Sequence, residues 1–179
     1  KANANSSILA SMVEKGIFET YQKRISRLKE YKALTDVSSI VLTEKQYDAF
    51  DDIHKGFEGE KPVLLHGVTA SGKTEIYIKL IQETLDAGRQ VLYLLPEIAL
   101  TEQIINRLKK YFGDRVGVYH SRYDNNERVE IWQQVINFRN SEDIENVKDF
   151  KYQIIIGSRS SIFLPFSDLG LIIVDEEHD

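Results

Sequence analysis

Residues 67–74 read Gly67-Val68-Thr69-Ala70-Ser71-Gly72-Lys73-Thr74, a glycine-rich segment that ends in Lys-Thr. It fits the pattern G-x-x-x-x-G-K-[ST], in which a glycine-rich turn wraps phosphate groups with backbone N–H groups. The apolar residues 63–66 come directly before it and predict a short strand, and helical spacing predicts a helix over residues 73–85. A strand, this loop and a helix, in that order, indicate a nucleotide site; the alternative is a glycine-rich turn without a ligand.

The loop residues have separate chemical tasks. The helix N-terminus adds partial positive charge, and Lys73 is expected to reach the β- and γ-phosphates. The Thr74 hydroxyl is expected to ligate Mg²⁺. We therefore predict ATP and Mg²⁺ as cofactors, with nucleotide contacts from Gly67, Thr69, Ser71, Gly72, Lys73 and Thr74.

An acidic segment about a hundred residues later completes the site. The apolar residues 171–174 run directly into Asp175-Glu176-Glu177-His178. Asp175 is expected to hold Mg²⁺, directly or through water, and Glu176 to polarise the attacking water as general base. An acidic strand end alone is typical of a solvated turn, so the prediction of Lys73, Asp175 and Glu176 as catalytic residues depends on the phosphate loop.

Strand and helix patterns alternate from residue 63 onward. Strands rich in Ile, Val and Leu and separated by helices predict an α/β fold of the P-loop NTPase type, with a parallel sheet and helices on both faces. On the helix of residues 125–138, Trp132 recurs with Val129 and Ile136 and is expected in the core. We predict strands at residues 63–66, 90–95, 116–120, 152–156 and 169–174, helices at 73–85, 101–112 and 125–138, and a polar surface excursion at 137–151.

Composition excludes several classes of protein. The 179 residues carry a net charge of −5, contain no cysteine and are 42% apolar. Disulfides and cysteine metal sites are therefore excluded, and a buried core is expected. No apolar run approaches the length that spans a bilayer, and the first residues lack a signal-peptide pattern.

The first 32 residues are basic, with seven Lys or Arg against three Glu. This head either faces nucleic-acid phosphates or is a solvated helix and ribbon. A short helix, Gly16 and an alternating ribbon over residues 17–25 are typical of the end of a winged-helix module. We predict such a remnant at 1–30, a linker at 31–41 and a nucleotide-binding domain at 42–179, in which Thr43 caps a helix. The opening Lys1 and the closing Asp179 predict a piece of a longer protein.

Several segments together resemble one family. The sequence Asp175-Glu176-x-His178 resembles the D-E-x-H box of superfamily 2 helicases and translocases. The loop with Leu65-His66 and Glu75, residues 95–101, His120-Ser121, residues 157–166, residues 169–179 and Leu42-Thr43-x-x-Gln46 are similar to motifs of the PriA family of replication-restart helicases. The resemblance covers residues 42–179, with Ala70 where the family usually has Gly and Ser158 in place of Thr.

The resemblance implies a truncated first RecA-like motor domain of an ATP-dependent 3′–5′ DNA helicase, acting in primosome assembly at stalled forks. It implies that Gln46 reads adenine and that His178 couples the nucleotide site to the next motif, unless that histidine is a satisfied strand-end residue. Phosphates of forked or single-stranded DNA are expected at Thr101, Ser158, Arg159 and Ser160. For Thr101 the alternative is a helix cap, and for Arg159 a structural ion pair.

The resemblance also implies a cytoplasmic bacterial protein, primosome and single-strand-binding partners, and zinc held by cysteines elsewhere in the full-length protein. The second RecA-like domain, with its arginine finger, lies outside this chain, so we expect weak ATP–Mg²⁺ binding and negligible hydrolysis by the chain alone. The strand of motif III would lie between residues 63–66 and 171–174. Its absence leaves an open sheet edge, which invites a dimer or a domain swap.

Two other functions remain open on the sequence. One is another superfamily 2 DNA translocase, against which residues 157–166 argue. The other is a nucleotide-gated interaction module without significant hydrolysis, against which the intact Lys73 and Glu176 argue.

Overall fold

A four-stranded parallel sheet organises the chain. The computed structural model describes residues 6–19, 32–59, 61–68, 71–96, 102–119, 125–139 and 151–175. The strands are β1 (Gln90–Leu94), β2 (Val116–Tyr119), β3 (Ile154–Gly157) and β4 (Leu169–Val174), in the spatial order β2-β3-β1-β4. The helices are α1 (Ser6–Glu14), α2 (Glu44–Glu58), α3 (Lys73–Asp86), α4 (Glu102–Phe112) and α5 (Asn125–Ile136). The predicted α/β class with a parallel sheet is confirmed.

The two faces of the sheet bury alternate residues of the same strands. Tyr93 of β1 belongs to the larger core cluster, which α3 and α4 contribute to, whereas Leu92 belongs to the cluster of α5. On β3, Ile154 and Ile156 take the first face and Ile155 the second. Because side chains alternate along a strand, helices cover both faces and the strands become almost wholly apolar.

Helix α5 buries a different stripe from the predicted one. Ile131 and Val135 are 1% and 0% exposed, whereas Val129 and Trp132 are 52% and 44% exposed. The expectation that Trp132 lies in the core is therefore wrong. The helix packs through the 131/135 stripe, which leaves the 129/132 stripe on the side away from that core cluster.

Several element ends differ by one or two residues from the predicted ones, and the two largest differences are at the start of β3 and the end of α5. β3 begins at Ile154, two residues later than predicted, because Tyr152 has a left-handed φ of 61° that extended backbone does not allow. α5 ends at Ile136, and a 3₁₀ turn, Asn137–Arg139, follows it. The remainder of the predicted excursion, residues 140–150, lies outside the described residues.

Residues 63–66 do not form the predicted strand. No hydrogen bond in the described part of the chain joins them to the sheet, whose edge on that side is β4. A β-strand is defined by its hydrogen bonds to a neighbouring strand, and β4 forms none with residues 63–66. Leu64 is 87% exposed, and Ile172 and Val174 of β4 are 54% and 49% exposed. The sheet thus ends at β4 with apolar side chains on the surface.

The segment before α2 is docked rather than loose. The backbone N–H groups of Leu34 and Thr35 both donate to the carbonyl of Lys110 at the end of α4, at 2.8 and 3.1 Å. The Asp36 side chain caps a 3₁₀ turn, Val37–Ser39, whose Val37 is buried in the larger core cluster. The predicted linker therefore packs on the domain along part of its length.

The structure describes only part of the predicted N-terminal winged-helix remnant. α1 is followed by Gly16 at a φ of +67°, as a helix that ends in glycine requires. Residues 17–19 have no strand assignment, and residues 20–31, most of the predicted ribbon, lie outside the described residues.

Candidate functional site

The glycine-rich loop opens α3 through a left-handed residue. Gly72 is the N-cap of α3 with a φ of +85°, a conformation that costs an L residue strain. A Cβ on Gly72 would also lie 2.0 Å from Nε2 of Gln46. The Ser71 N–H donates to the carbonyl of Val68 at 3.1 Å, which closes the turn before the helix. The left-handed conformation therefore favours glycine at position 72, and a larger residue would also have to displace the Gln46 side chain.

Lys73 folds back across the loop that precedes it. Its Nζ donates a hydrogen bond to the Gly67 carbonyl at 2.6 Å, and the side chain is half-buried. A backbone carbonyl thus holds the ammonium at the loop. An arriving phosphate oxygen can exchange with that acceptor and form the stronger, charge-assisted hydrogen bond.

Gln46 ties α2 to the loop. Its Oε1 accepts from the Thr43 N–H at 2.8 Å, which completes a capping box at the start of α2. Its Nε2 donates to the Gly72 carbonyl at 3.2 Å. Both ends of the amide have protein partners, so the adenine contact predicted for Gln46 requires an exchange of at least one of them.

Asp175 is delivered to the same end of the domain by β4. Its N–H donates to the carbonyl of Leu94 at 3.0 Å, which extends the β1–β4 ladder by one residue. Its Oδ2 accepts a hydrogen bond of 2.7 Å from the Tyr93 hydroxyl. Burial, and secondarily the Asp175 carboxylate, raise the pKa of Tyr77 on α3 to about 12. The Tyr93 ring also contacts the ring of Tyr77, with centroids 5.9 Å apart, so Asp175 lies near the helix that the phosphate loop opens.

The donor set fits a hard cation. Thr74, at the start of α3, supplies a hydroxyl and Asp175 an oriented carboxylate, and Mg²⁺ takes few protein oxygens while keeping several waters. Within the described residues no group of three or more His, Asp or Glu could hold a metal by itself. Bound nucleotide phosphates and water would supply further ligands to a cation held by Thr74 and Asp175.

An ion pair that the sequence did not indicate lies beside the loop. Arg107 of α4 donates to one carboxylate oxygen of Glu75, which follows Thr74 in the first turn of α3. The other carboxylate oxygen is buried, with no hydrogen-bond partner among the described residues. The pair joins α3 to α4, the helix that begins directly after the predicted DNA contact Thr101.

The predicted DNA contacts that the structure describes lie after β3. Ser158 is 6% exposed, and its hydroxyl lies 3.2 Å from that of Ser160. Arg159 and Ser160 are exposed at the start of a 3₁₀ turn, Arg159–Phe163, and no described residue forms an ion pair with Arg159. A Cβ on Gly157 would lie 1.8 Å from the Ser161 hydroxyl, so glycine lets this turn fold back over the strand end.

Four predicted site residues cannot be placed. Thr69, Thr101, Glu176 and His178 lie outside the described residues, and their roles remain predictions. The structure does bring Gly67, Gly72, Lys73 and Gln46 together, and Tyr93 connects Asp175 to Tyr77 of α3. Sequence reasoning missed Tyr93, although a tyrosine within a buried strand signals a hydroxyl in need of a partner.

Comparison with known proteins places this site in a family. The DEAD/DEAH box helicase family matches residues 43–179. The chain is 35% identical to replication restart protein PriA of Bacillus subtilis, an alignment that covers 100% of the chain and 21% of that protein. It is 37% identical to PriA of Synechocystis, over 98% of the chain and 20% of the relative. With PriA of Chlamydia trachomatis it shares 42% identity over 77% of the chain and 17% of the relative.

The chain spans about a fifth of the length of these curated relatives. None of the helices described is both long and apolar enough to cross a membrane. The family match covers the phosphate loop, the strands and the acidic end of β4 alike. This chain belongs to the DEAD/DEAH box helicase family.

Proposed function

We propose that this chain is the first RecA-like motor domain of an ATP-dependent 3′–5′ DNA helicase that acts in replication restart. The phosphate loop carries the proposal: Gly72 in a left-handed conformation, Lys73 held at the loop, and Asp175 oriented near the same helix. The PriA relatives support the setting in replication restart. Cytoplasmic action beside primosome and single-strand-binding proteins belongs to this proposal.

The residues of the chain have separate proposed roles in binding and hydrolysing ATP. The loop N–H groups and Lys73 bind and orient the β- and γ-phosphates, and Thr74 and Asp175 hold the metal–nucleotide complex. Bound Mg²⁺ would neutralise charge that develops on the transferred phosphoryl group. Glu176, directly after Asp175, orients and deprotonates the attacking water.

The proposed DNA track runs along exposed groups after β3 and before α4. Arg159 and Ser160 are accessible to a phosphate backbone, and Thr101 precedes α4. Ser158 lies beneath them, where its hydroxyl can hold Ser160 in place. Hydroxyl and guanidinium groups of this kind contact phosphates without reading bases.

We also propose the domain plan of a winged-helix remnant at 1–30, a linker at 31–41 and the motor domain at 42–179. The zinc-binding cysteines that the family resemblance implies would lie elsewhere in the longer protein. The isolated chain should associate through the exposed β4 edge, where Ile172 and Val174 are about half exposed. A sharp monomer peak in light scattering, with cooperative melting, would contradict that association.

Glu176→Gln in the full-length protein distinguishes a motor from a nucleotide-gated switch. We expect ATP to bind with unchanged affinity while turnover and unwinding are lost, because the variant keeps the shape of the side chain but not its basicity. Unwinding is measured on partial duplexes with 3′ or 5′ tails, and only those with 3′ tails should open in the wild type. If the variant lost turnover but its response to DNA were undiminished, the nucleotide-gated switch would be favoured.

A further inference from the structure

Two buried tyrosines connect the phosphate-loop helix to the acidic strand end. Tyr93 of β1 is 0% exposed, and its hydroxyl donates to Oδ2 of Asp175 at 2.7 Å. The ring of Tyr77 meets the ring of Tyr93 edge to face, with centroids 5.9 Å apart and an interplanar angle of 84°. Tyr77 lies three residues after Thr74, on the same face of α3 and one turn further along.

The two residues thereby join the two proposed metal ligands through packed atoms. Thr74 is fixed to Tyr77 by the backbone of α3, Tyr77 to Tyr93 by ring contact, and Tyr93 to Asp175 by a hydrogen bond. A buried edge-to-face pair has one preferred geometry, so it limits how far α3 can slide along the sheet. The hydrogen bond limits the rotation of the carboxylate, which retains acceptor capacity for a cation.

We propose that Tyr93 and Tyr77, the tyrosine pair, are positioning residues that set the distance and orientation between Asp175 and Thr74 for binding the metal–nucleotide complex. The inference rests on the proposed function of the loop, but it concerns residues that neither the loop pattern nor the acidic box contains. A buried hydroxyl needs some acceptor, and a backbone carbonyl would suffice. The acceptor here is instead the carboxylate at the end of β4.

The test uses the full-length protein with Tyr93→Phe, which keeps the ring and removes the hydroxyl. Mn²⁺ binding in the presence of a non-hydrolysable ATP analogue is followed by electron paramagnetic resonance. We expect the Mn²⁺ dissociation constant to rise about tenfold, the scale on which groups behind a metal ligand act. Affinity for the analogue without metal should stay unchanged, which a general loss of structure would not allow.

Tyr119→Phe is the matched control. Tyr119 ends β2, and its hydroxyl accepts from Arg128 at 3.0 Å, away from Asp175. Its Mn²⁺ affinity should equal that of the wild type. Tyr77→Leu, which keeps the Tyr93 hydroxyl and removes the ring contact, should weaken Mn²⁺ binding by a smaller factor. If Tyr93→Phe does not fold, this variant tests the positioning role of the tyrosine pair, and unchanged Mn²⁺ affinity would overturn it.

The outcomes separate the two proposals. If the wild type binds no Mn²⁺–nucleotide complex, the proposed function of the loop fails. If the wild type binds it and Tyr93→Phe binds Mn²⁺ equally well, the tyrosine pair is only core packing and the inference is overturned. Equal weakening by Tyr93→Phe and Tyr119→Phe would overturn it as well.

Discussion

The phosphate-loop end of the domain and the 3₁₀ turn after β3 differ in how their proposed functional groups are held. At the loop, Lys73, Gln46 and Asp175 each bond to another part of the protein within 3.2 Å. In the turn, Arg159 and Ser160 are exposed, and the one side-chain hydrogen bond found there among the described residues joins the Ser158 and Ser160 hydroxyls. A site that must bind a compact, highly charged ligand is preorganised, whereas a track that must release a moving strand keeps its contacts loose.

Gly72→Ala should have the largest effect, because it disturbs the preorganised end. A left-handed φ costs an alanine about 1–2 kcal/mol, and the new Cβ displaces Gln46 from the Gly72 carbonyl. We expect nucleotide affinity to fall about tenfold or more, measured by titration with a fluorescent ATP analogue.

Gly88→Ala is the control for that change. Gly88 also has a positive φ, +71°, but it follows the far end of α3. It should lower the free energy of unfolding by a similar amount while leaving nucleotide affinity intact. Equal loss of affinity in both variants would show that loop preorganisation is not the cause. In a Gln46→Ala background Gly72→Ala should cost less, since only the backbone strain remains.

Arg159→Ala tests the exposed turn after β3, which is the proposed DNA track. One phosphate contact contributes about one unit to the slope of log affinity against log salt. We expect weaker binding to single-stranded DNA of any sequence and a correspondingly shallower salt dependence, measured by fluorescence anisotropy. In the control Arg89→Ala, the lost guanidinium bonds to Asp168 and to the carbonyl of Leu169 at the start of β4, so both quantities should stay unchanged. An unchanged salt slope in Arg159→Ala would remove that residue from the track.

Arg107→Ala probes the connection between the two regions through α4. The pair with Glu75 is partly exposed, so its removal should lower the free energy of unfolding by about 1 kcal/mol or less. Glu75→Gln/Arg107→Ala should cost no more than the single change, because both charges are then gone. Chemical denaturation of Arg107→Ala, Glu75→Gln and the double variant measures these losses, and strictly additive losses would contradict a direct interaction.

His54 should give the smallest effect, as a pH dependence outside the site. Its hydrogen bond to the Phe50 carbonyl, together with the Glu83 carboxylate, raises the pKa of His54 despite the opposing effect of burial. A pKa raised on folding adds stability below the unfolded value of 6.5, and this stability is lost as pH rises through the folded pKa. The pair is about half exposed, so we expect a few tenths of a kcal/mol. A proton NMR titration giving a pKa at or below 6.5 would contradict this.

The sequence predicted best what is local. Gly72, Lys73 and the strand Leu169–Val174 lie where the pattern placed them, because a turn, a helix start and an apolar strand are set by neighbouring residues. Residues 63–66 were wrongly predicted as a strand, because strand formation depends on a partner far along the chain. Trp132 was misplaced because helical spacing finds a stripe but not which stripe is packed.

No sequence pattern predicted the contacts that join segments distant along the chain. Tyr93 and Asp175 are 82 residues apart, and Glu75 and Arg107 are 32 apart. Neither pair has a periodic relation, and both depend on the parallel arrangement of the elements. The tyrosine pair and the Glu75–Arg107 ion pair are therefore properties of the folded domain, visible only once β1 lies beside β4.

ATP turnover by the full-length protein, with and without forked DNA, tests whether this domain is part of a DNA-dependent motor. The wild type should be strongly stimulated by the fork, and Lys73→Ala should lose that stimulation because its loop no longer has the ammonium that binds the β- and γ-phosphates. Lys79→Ala, on the same helix but with its ammonium at the Val37 carbonyl, should keep it. Bound ATP with no stimulation by any DNA would contradict the account of this domain as a DNA-dependent motor.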